Sequence, residues 1–115
     1  MEEMCISAMM FFTKGAGILY ATVRRAKFHP DSIEEVIQRV NNTFVPSLVT
    51  MSGFIDFYLV RLENGAVSTL SIFETQSEAD EANTFFADWA KRELASLLQG
   101  PPEIAVGEVA VRTAK

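Results

Sequence analysis

From Ile18 to Phe28 the chain (ILYATVRRAKF) is rich in β-branched and aromatic residues and free of Gly and Pro, which predicts a first strand. The period-2 pleat puts Leu19, Ala21 and Val23 on one face and Ile18, Tyr20, Thr22 and Arg24 on the other. His29-Pro30 ends it. The period then changes. Ile33, Val36, Ile37, Val40 and Phe44 recur as one stripe of a 3.6-residue helix. Asp31 stands at the predicted N-cap, with Glu34 three residues on, close to a capping box. Pro46 is expected to kink or close this helix, and Leu48, Val49 and Met51 suggest a further turn.

After the break at Ser52-Gly53, Phe54–Leu62 (FIDFYLVRL) reads as a strand. Glu63-Asn64-Gly65-Ala66 supplies a tight Asn-Gly hairpin turn, and 67–74 (VSTLSIFE) is the antiparallel partner. Thr75-Gln76-Ser77-Glu78 repeats the capping pattern and opens a second helix. Its buried stripe is predicted as Ala79, Ala82, Phe86, Trp89 or Ala90, Leu94 and Leu97, with Gly100 as the residue that ends it. Glu103–Thr113 is the last strand, with a bulge expected at Gly107-Glu108, where the alternation slips.

The element order is strand, helix, strand, strand, helix, strand. This is an α+β class fold of the ferredoxin-like βαββαβ kind, with an antiparallel four-stranded sheet. Two helices cover only one face of such a sheet, so a strand with one wet face should alternate apolar and polar residues. The second strand does not. Phe54, Tyr58, Val60 and Leu62 fall on one face, and Ile55, Phe57 and Leu59 on the other. An open face of roughly 500 Å² is at the upper end of what monomers expose. The expected partner is a second copy of the chain, docked face to face about a two-fold axis. The alternative is an N-terminal arm folded over the same face.

Composition narrows the function classes. Net charge is −5, which repels phosphates and argues against nucleic acid as a partner. Nine Phe against two Tyr and one Trp place aromatic mass in packing. The one cysteine, Cys5, makes no internal disulfide, and there is no Cys/His cluster for a metal. This fits a reducing, cytoplasmic compartment. Cys5 is either a redox-active thiol or a spare one, and nothing in its sequence neighbourhood would activate it. Residues 1–17 read as an apolar arm or an extra edge strand, and residues 18–115 as one domain. The run CISAMMFF is too short for a membrane span and follows Glu2 and Glu3 rather than basic residues, so no membrane partner is expected. No nucleophile triad, P-loop, dinucleotide fingerprint or metal motif appears.

Several runs carry a family resemblance. They are Tyr20-Ala21-Thr22-Val23-Arg24-Arg25, Ser52-Gly53-Phe54 with Tyr58, Ser71-Ile72-Phe73-Glu74-Thr75, Asp88-Trp89-Ala90 with Leu94, and Gly100-Pro101-Pro102 with Gly107-Glu108-Val109. Over about residues 18 to 113 the chain resembles the dimeric α/β-barrel superfamily, and within it small bacterial proteins of the antibiotic-biosynthesis-monooxygenase type. The resemblance implies a homodimer joined through its sheets and a cavity in each subunit between sheet and helices. It also implies a cofactor-independent monooxygenase-like activity on a small aromatic or apolar compound, or a non-catalytic small-molecule-binding or stress-associated role on the same scaffold. Oxygenase-type members carry a Trp on the third strand, a His on the second helix and an Asn on the first strand. Here Ser71–Glu74 has no Trp, the second helix has no His and the first strand has no Asn.

The residues themselves offer a short list for the pocket. Tyr20, Arg24, Asp56, Tyr58 and Arg61 are polar groups on otherwise apolar strands. A tyrosine hydroxyl with an arginine can hold a phenolate or carboxylate, or the same groups can satisfy one another. Phe85 and Trp89, four apart on a helix, form either an aromatic wall or ordinary core. Asn42 or its neighbour Asn41 points into the cavity, or both help terminate the first helix. The pocket-lining candidates are therefore Tyr20, Arg24, Asn42, Tyr58, Phe85 and Trp89. His29, the only histidine, has the right intrinsic pKa for a general base, but it sits at a strand end with no evident partner. No catalytic residue, metal or cofactor is assigned.

Overall fold

The computed structural model describes residues 18–113. The arm or extra strand expected over 1–17, and Cys5 with it, lie outside them. Strand β1 is Tyr20–Lys27, β2 Phe54–Arg61, β3 Ala66–Phe73 and β4 Glu103–Glu108. All pairings are antiparallel, in the order β2-β3-β1-β4. Helix α1 (Ile33–Arg39) runs through a π turn (Val40–Phe44) into α2 (Val45–Leu48), and α3 spans Gln76–Glu93. This is the α+β, ferredoxin-like arrangement that the pattern predicts.

The helices cover one sheet face. Phe28, Val36, Val40, Phe44, Leu48, Val67, Phe73, Ala79, Ala82, Trp89 and Leu94 are buried between the two layers. Phe44 is the hub of an aromatic cluster. Its ring lies 5.0–6.0 Å from those of Phe57, Phe85, Phe86 and Trp89. The wide π turn at 40–44 lets the first helical segment continue past the expected stop, and Pro46 sits in the first turn of α2, where its missing N–H costs nothing.

Local chemistry explains most of the boundaries. Asn64 (φ 61°) and Gly65 (φ 81°) both take the left-handed conformation that the hairpin demands. A Cβ on Gly65 would lie 2.4 Å from the Phe28 carbonyl oxygen, which itself belongs to the strand end held by the Phe28 N–H bond to Gly65 O. The Thr75 hydroxyl accepts from the Glu78 N–H at 3.2 Å, as the capping pattern anticipates, while the Glu78 carboxylate accepts from the Thr75 hydroxyl at 3.0 Å.

Four expectations are corrected. Asp31 does not cap α1. Pro30 opens a short 3-10 turn (Pro30–Ser32), so the helix begins after Ser32 with no side-chain cap. Helix α3 stops at Glu93, and residues 94–97 leave it as turns before Gly100 takes φ 82°. The β1–β4 ladder is regular through Gly107 and Glu108. The bulge lies instead in β2, between Phe54 and Asp56. It turns Phe54 off the face of Tyr58 and Val60 and into the core, against Phe73.

No helix among the described residues covers the other sheet face. Val23, Tyr58 and Val60 are exposed on it, with Leu70 between Val23 and Tyr58, while Ile72, between Ala21 and Asp56, is buried. Beyond β4, Arg112 reaches back to Asp56 on the far edge strand at 3.6 Å. Among the described residues no helix is long and apolar enough to cross a membrane.

Candidate functional site

A cavity of about 330 Å³ lies between the helix-covered sheet face and α3. Strands β1 and β3 supply its floor through Arg24, Ala26, Phe28, Val67 and Thr69, and α1 and the π turn supply Val36 and Val40. Phe86, Ala90, Leu94 and Leu98 form the opposite wall. The exposed lining residues are Ala87, Lys91, Ala95, Pro102 and Ile104, so the mouth opens between α3 and β4.

Arg24 is the one charged side chain in the floor. The pleat of β1 directs it, with Thr22 and Ala26, toward the helices, and only 5% of it is exposed. One guanidinium nitrogen donates to Asn83 Oδ1 at 2.5 Å and another to Ser71 Oγ at 3.4 Å. The guanidinium stacks over the Phe86 ring, 4.0 Å from its centroid. Desolvation by burial pulls its pKa down to about 10. Among the described residues it has no carboxylate partner. Directly opposite it on β3 stands Thr69, whose buried hydroxyl has no hydrogen-bond partner among the described residues. The same holds for the Thr22 hydroxyl, deeper on the same face.

Of the residues the sequence nominated, Arg24 lines this cavity and the others do not. Tyr20 lies on the helix-covered face at the far end of β1 and packs against the core. Trp89 is core, its Nε1 donating to Thr43 Oγ1 at 2.9 Å. Phe85 stacks on Phe44. Asn42 is exposed on the π turn, and Tyr58 is exposed on the open sheet face. Asp56 and Arg61 meet Arg112 and Glu34 in surface ion pairs. His29 is exposed, and its carbonyl accepts the Ser32 N–H. Thr69 and Lys91 are the site residues that the sequence reading passed over, and Phe86, which the helix stripe sets beside Phe85 and Trp89, is the one aromatic of that group that lines the cavity. A signal for Thr69 exists, because the face of β3 that carries Val67 and Phe73 also carries two hydroxyls, Thr69 and Ser71, where apolar residues would be expected.

No protein-family model matches the sequence, and no curated protein is significantly similar to it. Solved structures are. A protein of unknown function from Nitrosomonas europaea superposes with a TM-score of 0.70 at 17% identity, over 88% of this chain and 98% of that one. A proposed antibiotic biosynthesis monooxygenase from the same organism gives 0.69 at 13%, over 90% and 99%. SnoaB, a cofactor-independent oxygenase from Streptomyces nogalater, gives 0.61 at 19%, over 83% and 95%. The chain shares their fold. At these identities the likeness fixes architecture and leaves activity to the residues of the site.

Proposed function

We propose that the protein binds a small, largely apolar molecule in the cavity between β1, β3 and α3, and that it does so as a homodimer joined through the open sheet faces. The observation that carries the binding reading is the cavity itself. Its volume falls within the range of small-molecule sites, roughly 300–1,000 Å³, and its lining is aliphatic and aromatic apart from Arg24, Thr69 and Lys91. A core otherwise packed around Phe44 has no structural need for such a gap, since unfilled apolar space is destabilising. The dimer is supported by Val23, Tyr58 and Val60, which are exposed on a face that no helix of the described residues covers.

Calorimetric titration with two-ring aromatics tests the binding reading. Micromolar to sub-millimolar affinity is expected, and Ala90→Phe, which fills the cavity, should abolish it. Failure of every such compound to bind the full chain removes the reading.

A second reading, cofactor-independent oxygenation of the bound compound, is supported by the fold shared with SnoaB. Oxygen uptake with 1,4-dihydroxynaphthalene separates the two. Uptake above the uncatalysed rate that disappears in Ala90→Phe supports oxygenation. Binding without uptake leaves a carrier or sensor.

A further inference from the structure

A guanidinium presents five N–H donors, and among the described residues only Ser71 and Asn83 accept from Arg24. The Ser71 contact is long and the Asn83 oxygen is neutral. The ion pairs of the described residues join Arg39 to Glu35, Arg61 to Glu34 and Arg112 to Asp56, and leave Arg24 out. Buried charges are ordinarily paired, because an unpaired one keeps the full cost of leaving water. Stacking on Phe86 offsets part of that cost. It does not supply an anion.

Thr69 faces the same space. It is the direct cross-strand neighbour of Arg24, a position that places two Cβ atoms about 5 Å apart. The residue is 7% exposed and its hydroxyl has no partner among the described residues. A donor-rich cation and an unused hydroxyl therefore meet at one end of an apolar cavity that has Lys91 at its mouth and no Asp or Glu in its lining.

We propose that the ligand is an apolar carboxylate. Its two oxygens lie on the Arg24 guanidinium, the Thr69 hydroxyl donates to one of them, and the hydrocarbon body fills the space among Val36, Val40, Leu94 and Leu98. A carboxylate matches the planar fork of a single arginine and brings one charge to one cation. A phosphate dianion would bring two charges to a floor with one buried cation. A neutral hydrocarbon would leave both Arg24 and Thr69 unsatisfied. The inference rests on the cavity being a small-molecule site and adds the charge and head group of what enters it.

Calorimetry on the full chain compares 2-naphthoate with 2-methylnaphthalene, which has the same ring system and no charge. The naphthoate is expected to bind at least about tenfold more tightly, the scale of one or two charge-assisted hydrogen bonds. Thr69→Val keeps the shape and removes the hydroxyl. It should weaken naphthoate several-fold and leave the hydrocarbon unchanged. Its thermal midpoint should hold or rise, because an unsatisfied buried hydroxyl is lost. A Thr69 hydroxyl with only a structural role would lower the midpoint and leave the naphthoate affinity unchanged. Arg24→Met should abolish the preference for the acid. Equal affinity for the two compounds in the wild type, or a naphthoate affinity indifferent to Thr69→Val, overturns the carboxylate assignment while the cavity reading stands. Binding of neither compound brings down both.

Discussion

Trp89 Nε1 donates a 2.9 Å hydrogen bond to Thr43 Oγ1, which ties the middle of α3 to the π turn that follows α1. Trp89 is 2% exposed while Thr43 is exposed, so the bond sits part-buried at the rim of the core. Thr43→Val keeps the shape of the side chain and removes the acceptor. The expected cost is about 1 kcal/mol, the net worth of one hydrogen bond. A lowered urea midpoint with unchanged slope, together with a blue-shifted Trp89 emission, is the predicted result. An unchanged midpoint would show that the bond does not hold the two helical layers together.

Phe44 sits between those layers and touches four other aromatic rings. It is 1% exposed, so truncation leaves a cavity that the surrounding rings can only partly fill. Phe44→Ala is expected to cost about 3–5 kcal/mol. That is a large share of a typical domain's roughly 5–15 kcal/mol. Chemical denaturation followed by circular dichroism measures it, and Phe44→Leu should cost markedly less.

The same residues show which parts of the fold the sequence announces. Asn64-Gly65 and Thr75/Glu78 act within a few residues of themselves, and both do in the structure what the pattern says they do. Strand alternation on β1 correctly places Arg24 on the face opposite Val23. Alternation alone puts Phe54 on the face opposite to the one it occupies, because a bulge is one extra residue, which inverts parity without altering composition. Asp31 fails as a cap because Pro30 begins a 3-10 turn first. The site divides the same way. Arg24 is conspicuous as a charge on an apolar strand. The cavity beside Thr69 is tertiary, enclosed by side chains of β1, β3, α1 and α3 that lie far apart in sequence, and the chain carries no local mark of it. Trp89 and Phe85 look like a ligand wall at helical spacing and turn out to face Phe44 instead.

The proposed dimer gives a test that leaves the subunit intact. Val60 is 50% exposed on the open face, so a charge there meets water in a lone chain and meets the partner's sheet in a dimer. Val60→Glu should convert a dimer to a monomer in sedimentation at micromolar concentration, with an unchanged far-ultraviolet spectrum. Val49→Glu, at a position 53% exposed at the end of α2 on the helical side of the sheet, serves as the surface control and should sediment like the wild type. A wild-type protein that sediments as a lone subunit would remove the dimer from the proposal.

The pH dependence of stability and of binding both follow from Arg24. Its folded pKa, about 10, is depressed by burial below the ordinary arginine range. Above pH about 10 the unfolded chain therefore holds more protons than the folded one, and stability attributable to this group rises with pH. The limiting slope is about 1.4 kcal/mol per pH unit. Other groups titrate in the same window, so the quantity to measure is the difference in denaturation free energy between wild type and Arg24→Met. Lys91 also lines the cavity, and a Lys91→Met background removes it from both arms. The wild type should gain on the variant from about pH 10 upward. Over the same interval the affinity for an apolar carboxylate should fall, approaching about tenfold per pH unit as the guanidinium loses its proton. Opposite slopes for stability and for acid binding, both centred on one residue, are what a buried cation waiting for an anion produces. A cation already neutralised inside the protein would show neither.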